Sequence, residues 1–135
     1  MTGDDTRRNV ADAVQRARQA TRAAEALLTL ELHRDAVSRA YCAAYHWIQA
    51  LLLARGLSTT TQSGAFQLLH REFLRPGVLP NVLGWQLAGL QRSREQADYE
   101  SAIDFTSTEV RSMLAVVAAL ASDAEAILRN ESLLD

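Results

Sequence analysis

Apolar residues recur along the chain at three-to-four-residue spacing and nowhere in the strict alternation of a strand, so the pattern is helical from end to end. A first helix is predicted over about Asp5 to Leu30, where Val10, Ala13, Val14, Ala17, Ala20, Ala24, Leu27 and Leu28 form a weakly apolar, alanine-rich stripe. Asp4 and Asp5 favour its positive end. Glu31 to Asp35 holds neither Gly nor Pro, and a break is placed there because an uninterrupted helix of about 50 residues is out of scale with so small a protein. The second helix runs from about Asp35 to Arg55 and stops at Gly56, a good left-handed cap. After a polar loop, a third helix from about Ser63 to Leu74 buries Phe66, Leu69 and Phe73 and ends at Pro76-Gly77. Pro80 suits the first turn of a fourth, which reaches Tyr99. Glu100 to Thr106 is a linker. The last helix opens on Thr106-Ser-Thr-Glu109, a capping-box pattern, and carries Val110, Met113, Leu114, Val117, Leu120, Ala121, Ala124, Ile127 and Leu128 at helical spacing. No internal repeat interrupts the series, so an all-α bundle of four to five helices is the simplest arrangement.

Composition narrows this without redirecting it. With 135 residues, 48% of them hydrophobic, the chain can build one core, and residues 1–135 read as a single domain. All fourteen basic residues are arginines, against sixteen acidic ones, and the net charge of −2 lacks the footprint of a dedicated DNA binder. Any contact with nucleic acid has to be local. Cys42 is the single cysteine, which excludes an internal disulfide and a cysteine-rich zinc cluster. The N-terminal stretch is charged from its start, unlike a signal peptide, and the longest apolar run, Met113 to Ala121, is far short of the roughly 18 residues of a membrane span. The expectation is a cytoplasmic protein.

Candidate chemistry gathers on two helices. On the second, Arg39 and His46 lie seven residues apart, about 20° in azimuth and about 10 Å along the axis, and so share a face. Tyr41 and Tyr45 form an i, i+4 pair on the adjacent face, with rings able to stack. These aromatics, with Trp47, equally suit a core or an interface. On the fourth helix the apolar stripe Leu83, Leu87, Leu90 continues through Arg94 to Ala97 and Asp98, which puts a charged pair on the buried side. Asp98 also falls in the last turn, where the helix dipole disfavours a negative charge unless a cation answers it. Arg94 or Arg39 is expected to be that cation. The arrangement reads either as a bridge locking the second helix to the fourth, or as a pocket for a phosphate or nucleotide, with Arg94 and Arg39 as anion contacts and Tyr99 as a stacking or hydroxyl group. Three histidines without metal-ligand spacing imply no metal site, and there is no glycine-rich phosphate loop or other mark of a cofactor.

The segments AVSRAYCAAYHWIQALLLARGL, TQSGAFQLLHREFLRPGVLP and LQRSREQADYE together resemble the HEPN (higher eukaryotes and prokaryotes nucleotide-binding) domain family, in its branch of small, stand-alone prokaryotic proteins, over about Ala24 to Leu128. The resemblance implies an antiparallel helical bundle of HEPN type, a homodimer, and a place in a toxin–antitoxin or other defence locus beside a nucleotidyltransferase partner. Members usually carry a second tyrosine where Cys42 stands here. Ribonuclease members carry Arg, four to six residues, then His near the start of the terminal helices. By position, Arg94-Glu-Gln-Ala-Asp98-Tyr99 is the segment closest to that motif, with Asp98 where the histidine belongs. A carboxylate of ordinary pKa near 4 is a poor acid at neutral pH. Arg39 and His46 satisfy the spacing literally, yet about one such coincidence is expected by chance at this arginine content. The expectation is therefore a nucleotide- or RNA-phosphate-binding protein that uses Arg39, Tyr41, Tyr45, His46, Arg94, Asp98 and Tyr99. A metal-independent ribonuclease working through His46, Arg94 and Asp98, with Arg39, and a non-catalytic helical adaptor, are the alternatives.

Overall fold

The computed structural model describes residues 3–135. Its helices are α1 (Gly3–Thr29), α2 (His33–Ala54), α3 (Gln62–Leu69), α4 (Asn81–Tyr99) and α5 (Ser107–Asn130), with no strand among the described residues. This is the expected all-α bundle, and the predicted boundaries hold to within two residues except at α3.

Helix α2 is the structural centre, because its sequence is apolar over more than half its circumference. Ala36, Val37, Ala40, Tyr41, Ala43, Ala44, Trp47, Ile48, Ala50, Leu51 and Leu52 are all buried. A helix buried this broadly needs neighbours on several sides, and α2 packs against α1, α3, α4 and α5. The facing residues of α1 are small, Ala13, Ala17, Ala20 and Ala24 with Val10 and Val14, so the α1 and α2 backbones approach closely. Helix α4 contributes Leu83, Leu87 and Leu90, and α5 contributes Val117, Leu120, Ala124 and Leu128. A smaller apolar cluster of Ala36, Val37, Ala97, Phe105 and Val110 closes the end of the bundle where α4 gives way to α5.

The helix ends have identifiable causes. Thr106 caps α5 by accepting the Glu109 N–H, while the Glu109 side chain answers the Thr106 N–H, so the capping box read from the sequence is formed. Gly56 ends α2 in the left-handed region, φ +71°. The Leu57 N–H donates to the Leu52 carbonyl at 2.8 Å and the Gly56 N–H to the Leu53 carbonyl at 3.0 Å, which is a Schellman closure. The α1–α2 break uses the same closure without a glycine: Glu31 stands at φ +60°, with Leu32 N–H on Leu27 O and Glu31 N–H on Leu28 O. The expected third helix to Leu74 is corrected at its end. From His70 to Leu74 the chain widens into a π turn, with Arg75 N–H donating to His70 O at 2.8 Å, and adjacent Phe73 and Leu74 are both buried.

Candidate functional site

The bundle brings α2, α3 and α4 together along one seam, and the seam is stitched by polar side chains. Ser38 Oγ donates to Asp98 Oδ1 at 2.6 Å, and Arg94 Nε holds Asp98 Oδ2 at 2.7 Å. Arg94 is one turn before Asp98 on α4, so the dipole argument is met within the helix by an i, i+4 ion pair. Arg39 does not supply the cation: the Asp98 carboxylate is already filled by Ser38 and Arg94, and Arg39 turns outward, its guanidinium 3.6 Å from Cys42 Sγ. Arg39 has no carboxylate partner among the described residues.

Tyr41 is the most deeply placed member. Its side chain is 1% exposed, its hydroxyl donates to Gln62 Oε1 at 3.0 Å, and its ring stacks on Phe66 with centroids 6.1 Å apart. Arg94 lies over the same ring, 5.1 Å from its centroid, and its Nη1 reaches Gln62 Oε1 at 3.4 Å. Burial raises the Tyr41 hydroxyl above the ordinary tyrosine value of 10.0, with the Arg94 charge pulling the other way. Tyr41 and Tyr45, whose spacing permits a stack, take other partners, Tyr41 pairing with Phe66 of α3. Tyr45 stacks instead on His46, centroids 6.0 Å apart and planes 4° from parallel. His46 Nδ1 meets Gln49 Oε1 at 2.9 Å, a contact in which Nδ1 is the donor, so that in the neutral imidazole Nε2 is the acceptor.

The structure thus sorts the candidates into two adjoining groups. Arg94, Asp98 and Tyr41 are bound into the seam. Arg39, Tyr45 and His46, with Cys42 and Gln49, form a partly exposed strip along one side of α2. Tyr99 stands apart, 77% exposed at the end of α4. None of the seven lines the cavities of about 540, 730 and 570 Å³, which open elsewhere on the bundle. Between α2 and α4 lies a bonded seam in place of a walled cleft.

Three contributors escape a reading of the sequence. Ser38 shares a side of α2 with Tyr41 and Tyr45 at i, i+3, i+7, a spacing that could have disclosed it. Gln62 lies in the first turn of α3 and carries no such signal. Arg34, whose guanidinium bonds the carbonyls of Glu100 and Ile103, ties the α4–α5 linker to the start of α2.

Among the described residues no helix is long and apolar enough to cross a membrane, and no group of three or more His, Cys, Asp or Glu could hold a metal ion.

Comparison with known proteins adds what geometry alone does not. A UPF0332 protein of Thermotoga maritima is 34% identical over 97 residues, which cover 72% of this chain and 74% of that protein. Two proteins of Methanocaldococcus jannaschii, each described as a candidate toxin, are 30% and 26% identical, over 73% and 80% of this chain and 74% of each of their own. The HEPN domain profile matches residues 10–127, a span that contains the Tyr41–Arg94–Asp98 seam and all five helices in whole or in part. The chain belongs to the HEPN family.

Proposed function

We propose that this HEPN protein is a toxin-like component of a toxin–antitoxin or defence system, and that its α2–α4 face holds a nucleotide or an RNA phosphate. It works as a cytoplasmic homodimer with a nucleotidyltransferase-type partner. The observation that carries the reading is Arg39: an exposed guanidinium with no acidic partner among the described residues, one turn from Cys42 and two from the stacked Tyr45–His46 pair. A free arginine beside aromatic and imidazole rings offers an anion contact and a stacking surface together. Arg94 adds positive charge nearby, tempered by Asp98. Relatives described as candidate toxins support the toxin-like part of the proposal.

One observation favours the ribonuclease alternative. The Gln49 contact leaves His46 Nε2 as a proton acceptor on the exposed strip, where it could take a 2'-hydroxyl proton. Against it, nothing joins His46 to Arg94, and the motif position on α4 is held by Asp98, already committed to Arg94 and Ser38.

Binding of a fluorescent single-stranded RNA, followed against salt, tests the proposal. Arg39→Gln is expected to weaken binding and to lower the slope of log affinity against log salt by about 0.7, the share of one phosphate contact. Unchanged affinity and slope would remove Arg39 from the site. A metal-free cleavage assay on wild type beside His46→Ala and Arg94→Ala separates the alternatives: little or no cleavage is expected, and robust cleavage abolished by both substitutions would establish the nuclease.

A further inference from the structure

Helix α3, the π turn after it and the first half of α4 enclose an apolar groove of about 540 Å³, with Leu69, Leu74 and Leu87 beneath it and Phe66 and Trp85 at its sides. Two local departures from a plain helix pair shape it. The π turn displaces the end of α3. Gly84 lets the Leu74 side chain close directly onto α4, where a Cβ would stand only 3.0 Å from Leu74 Cδ1. Trp85 is 80% exposed at the rim, and Val82 and Val78 extend the apolar surface at 59% and 43% exposure. Among the described residues, half of the large exposed hydrophobic side chains lie within this one stretch of eight residues. Apolar surface gathered this way marks a place where something binds.

The surrounding charge says what kind of thing. Between Ser58 and Ser93 the chain carries Arg71, Arg75 and Arg92 against Glu72 as the one acid, although the whole chain has a net charge of −2. Glu72 pairs with Arg71 at 3.2 Å. Arg75 and Arg92 are exposed and have no carboxylate partner among the described residues. Arg92 follows Trp85 by two turns on the same side of α4. Arg75 and Arg71 line a second cavity, of about 570 Å³, that meets the groove at His70, which lines both. An apolar trough is thus flanked by cationic groups along one edge and at one end.

We propose that this groove docks an acidic amphipathic segment of a partner protein, with bulky apolar side chains seated between Trp85 and Leu87 and carboxylates on Arg75, Arg92 and the Arg71–His70 pocket. Charge complementarity selects this occupant over a second copy of the chain, since a two-fold contact through the groove would bring its cationic edges together. A nucleic-acid strand fits less well, because it wants open ring faces alternating with polar groups, whereas here aliphatic side chains line a recess. The site is separate from the Arg39 strip. Phe66 lies between them, packed on Tyr41, so it is left untouched in the test.

The test selects short random peptides displayed on phage against the wild-type protein, with counter-selection on Trp85→Ser. Each selected peptide is then measured by anisotropy on wild type, Trp85→Ser, the double variant Arg75→Glu/Arg92→Glu, and Arg39→Gln. The expected peptides carry several acids around a large apolar residue. Loss of the indole should weaken them at least about tenfold, as for a central aromatic anchor, and the double charge reversal should weaken them and abolish their salt dependence. Arg39→Gln should leave them unchanged, so failure of the RNA-phosphate reading and failure of this one are told apart. All substituted positions are exposed, and circular dichroism checks that both groove variants fold. Four results overturn the proposal: no selected peptide; peptides that are neutral or basic; a Trp85-dependent binding of RNA at the groove; or a self-association that Trp85→Ser dissolves.

Discussion

Tyr41 shows how a single buried hydroxyl reports on three helices at once. Its ring is sealed between Phe66 and the Arg94 guanidinium, and its hydroxyl is spent on Gln62. Burial favours the neutral phenol, so the folded chain still holds this proton at a pH where the unfolded chain has released it. The contribution to stability is therefore fully present below the ordinary value of 10.0 and is lost as pH rises above it. Phenolate absorbance in the folded protein is expected to show a tyrosine that ionises late and disappears from the titration in Tyr41→Phe. Denaturant melts should fall more steeply above pH 10.0 in wild type than in that variant. Equal slopes would mean that Tyr41 is solvated in solution. The pair around it was only half legible. Arg94 and Asp98 announce themselves by sitting one turn apart on an otherwise apolar stripe, which is local information. Ser38 and Gln62 complete the network from other helices, and whether Arg39 or Arg94 answers Asp98 depends on the rotation of α2 against α4, which no local pattern encodes.

Helix ends divide along the same line. Three helices close with the same backbone motif, and the residue in the left-handed position is Glu31 after α1, Gly56 after α2 and Ser132 after α5. Only the glycine could be read in advance, because only there does residue type match the conformation. At Glu31 packing imposes what propensity opposes, and the boundary shows no mark in the sequence. The mismatch has a measurable cost. Glu31→Gly is expected to stabilise the fold by about 0.5–1 kcal/mol, since it removes the side chain's objection to a positive φ, while Gly56→Ala should cost about 1 kcal/mol or more by creating the same objection at a position now free of it. Thermal melts of the two variants beside wild type check this; a loss of stability in Glu31→Gly would show that the Glu31 side chain contributes more than its backbone costs. The π turn escaped for a different reason. Its extra residue lets Phe73 and Leu74 both enter the core, and an apolar pair in sequence is equally compatible with a plain helix end. Trp47 and Trp85 were likewise indistinguishable by type, and the structure buries the first to 1% exposure and leaves the second at 80%.

The all-α class and the HEPN relationship follow from features spread over the whole chain, a helical period throughout and three extended segments, and these survive errors at any single position. Assembly is the property left to measure. Large apolar side chains of α2 and α5 are mostly used within one chain, since Trp47 and Leu51 are buried and Val116 is half-buried. What remains uncovered near the centre of the bundle is the strip of α2 from Arg39 to Gln49 and the outer side of α5. On α5, Ser112, Ala115, Ala119, Ser122 and Ala126 are exposed and recur every three to four residues, a narrow stripe of small uncharged side chains on which a second helix could pack closely. A two-fold contact there needs no charge pairing and leaves the cationic groove around Trp85 outside the interface. Light scattering at micromolar concentration is accordingly expected to give about twice the 14.9 kDa of the chain. Ala119→Arg should halve that mass if α5 forms the contact, by placing a long charged side chain in a close-packed seam. Trp85→Ser should leave it unchanged. Should wild type run at the monomer mass, the dimer fails, and the Arg39 strip must then bind its anion as one copy; should Ala119→Arg remain dimeric, the contact moves to the α2 strip, where Tyr45→Glu becomes the disrupting substitution and RNA binding and dimerisation should be lost together.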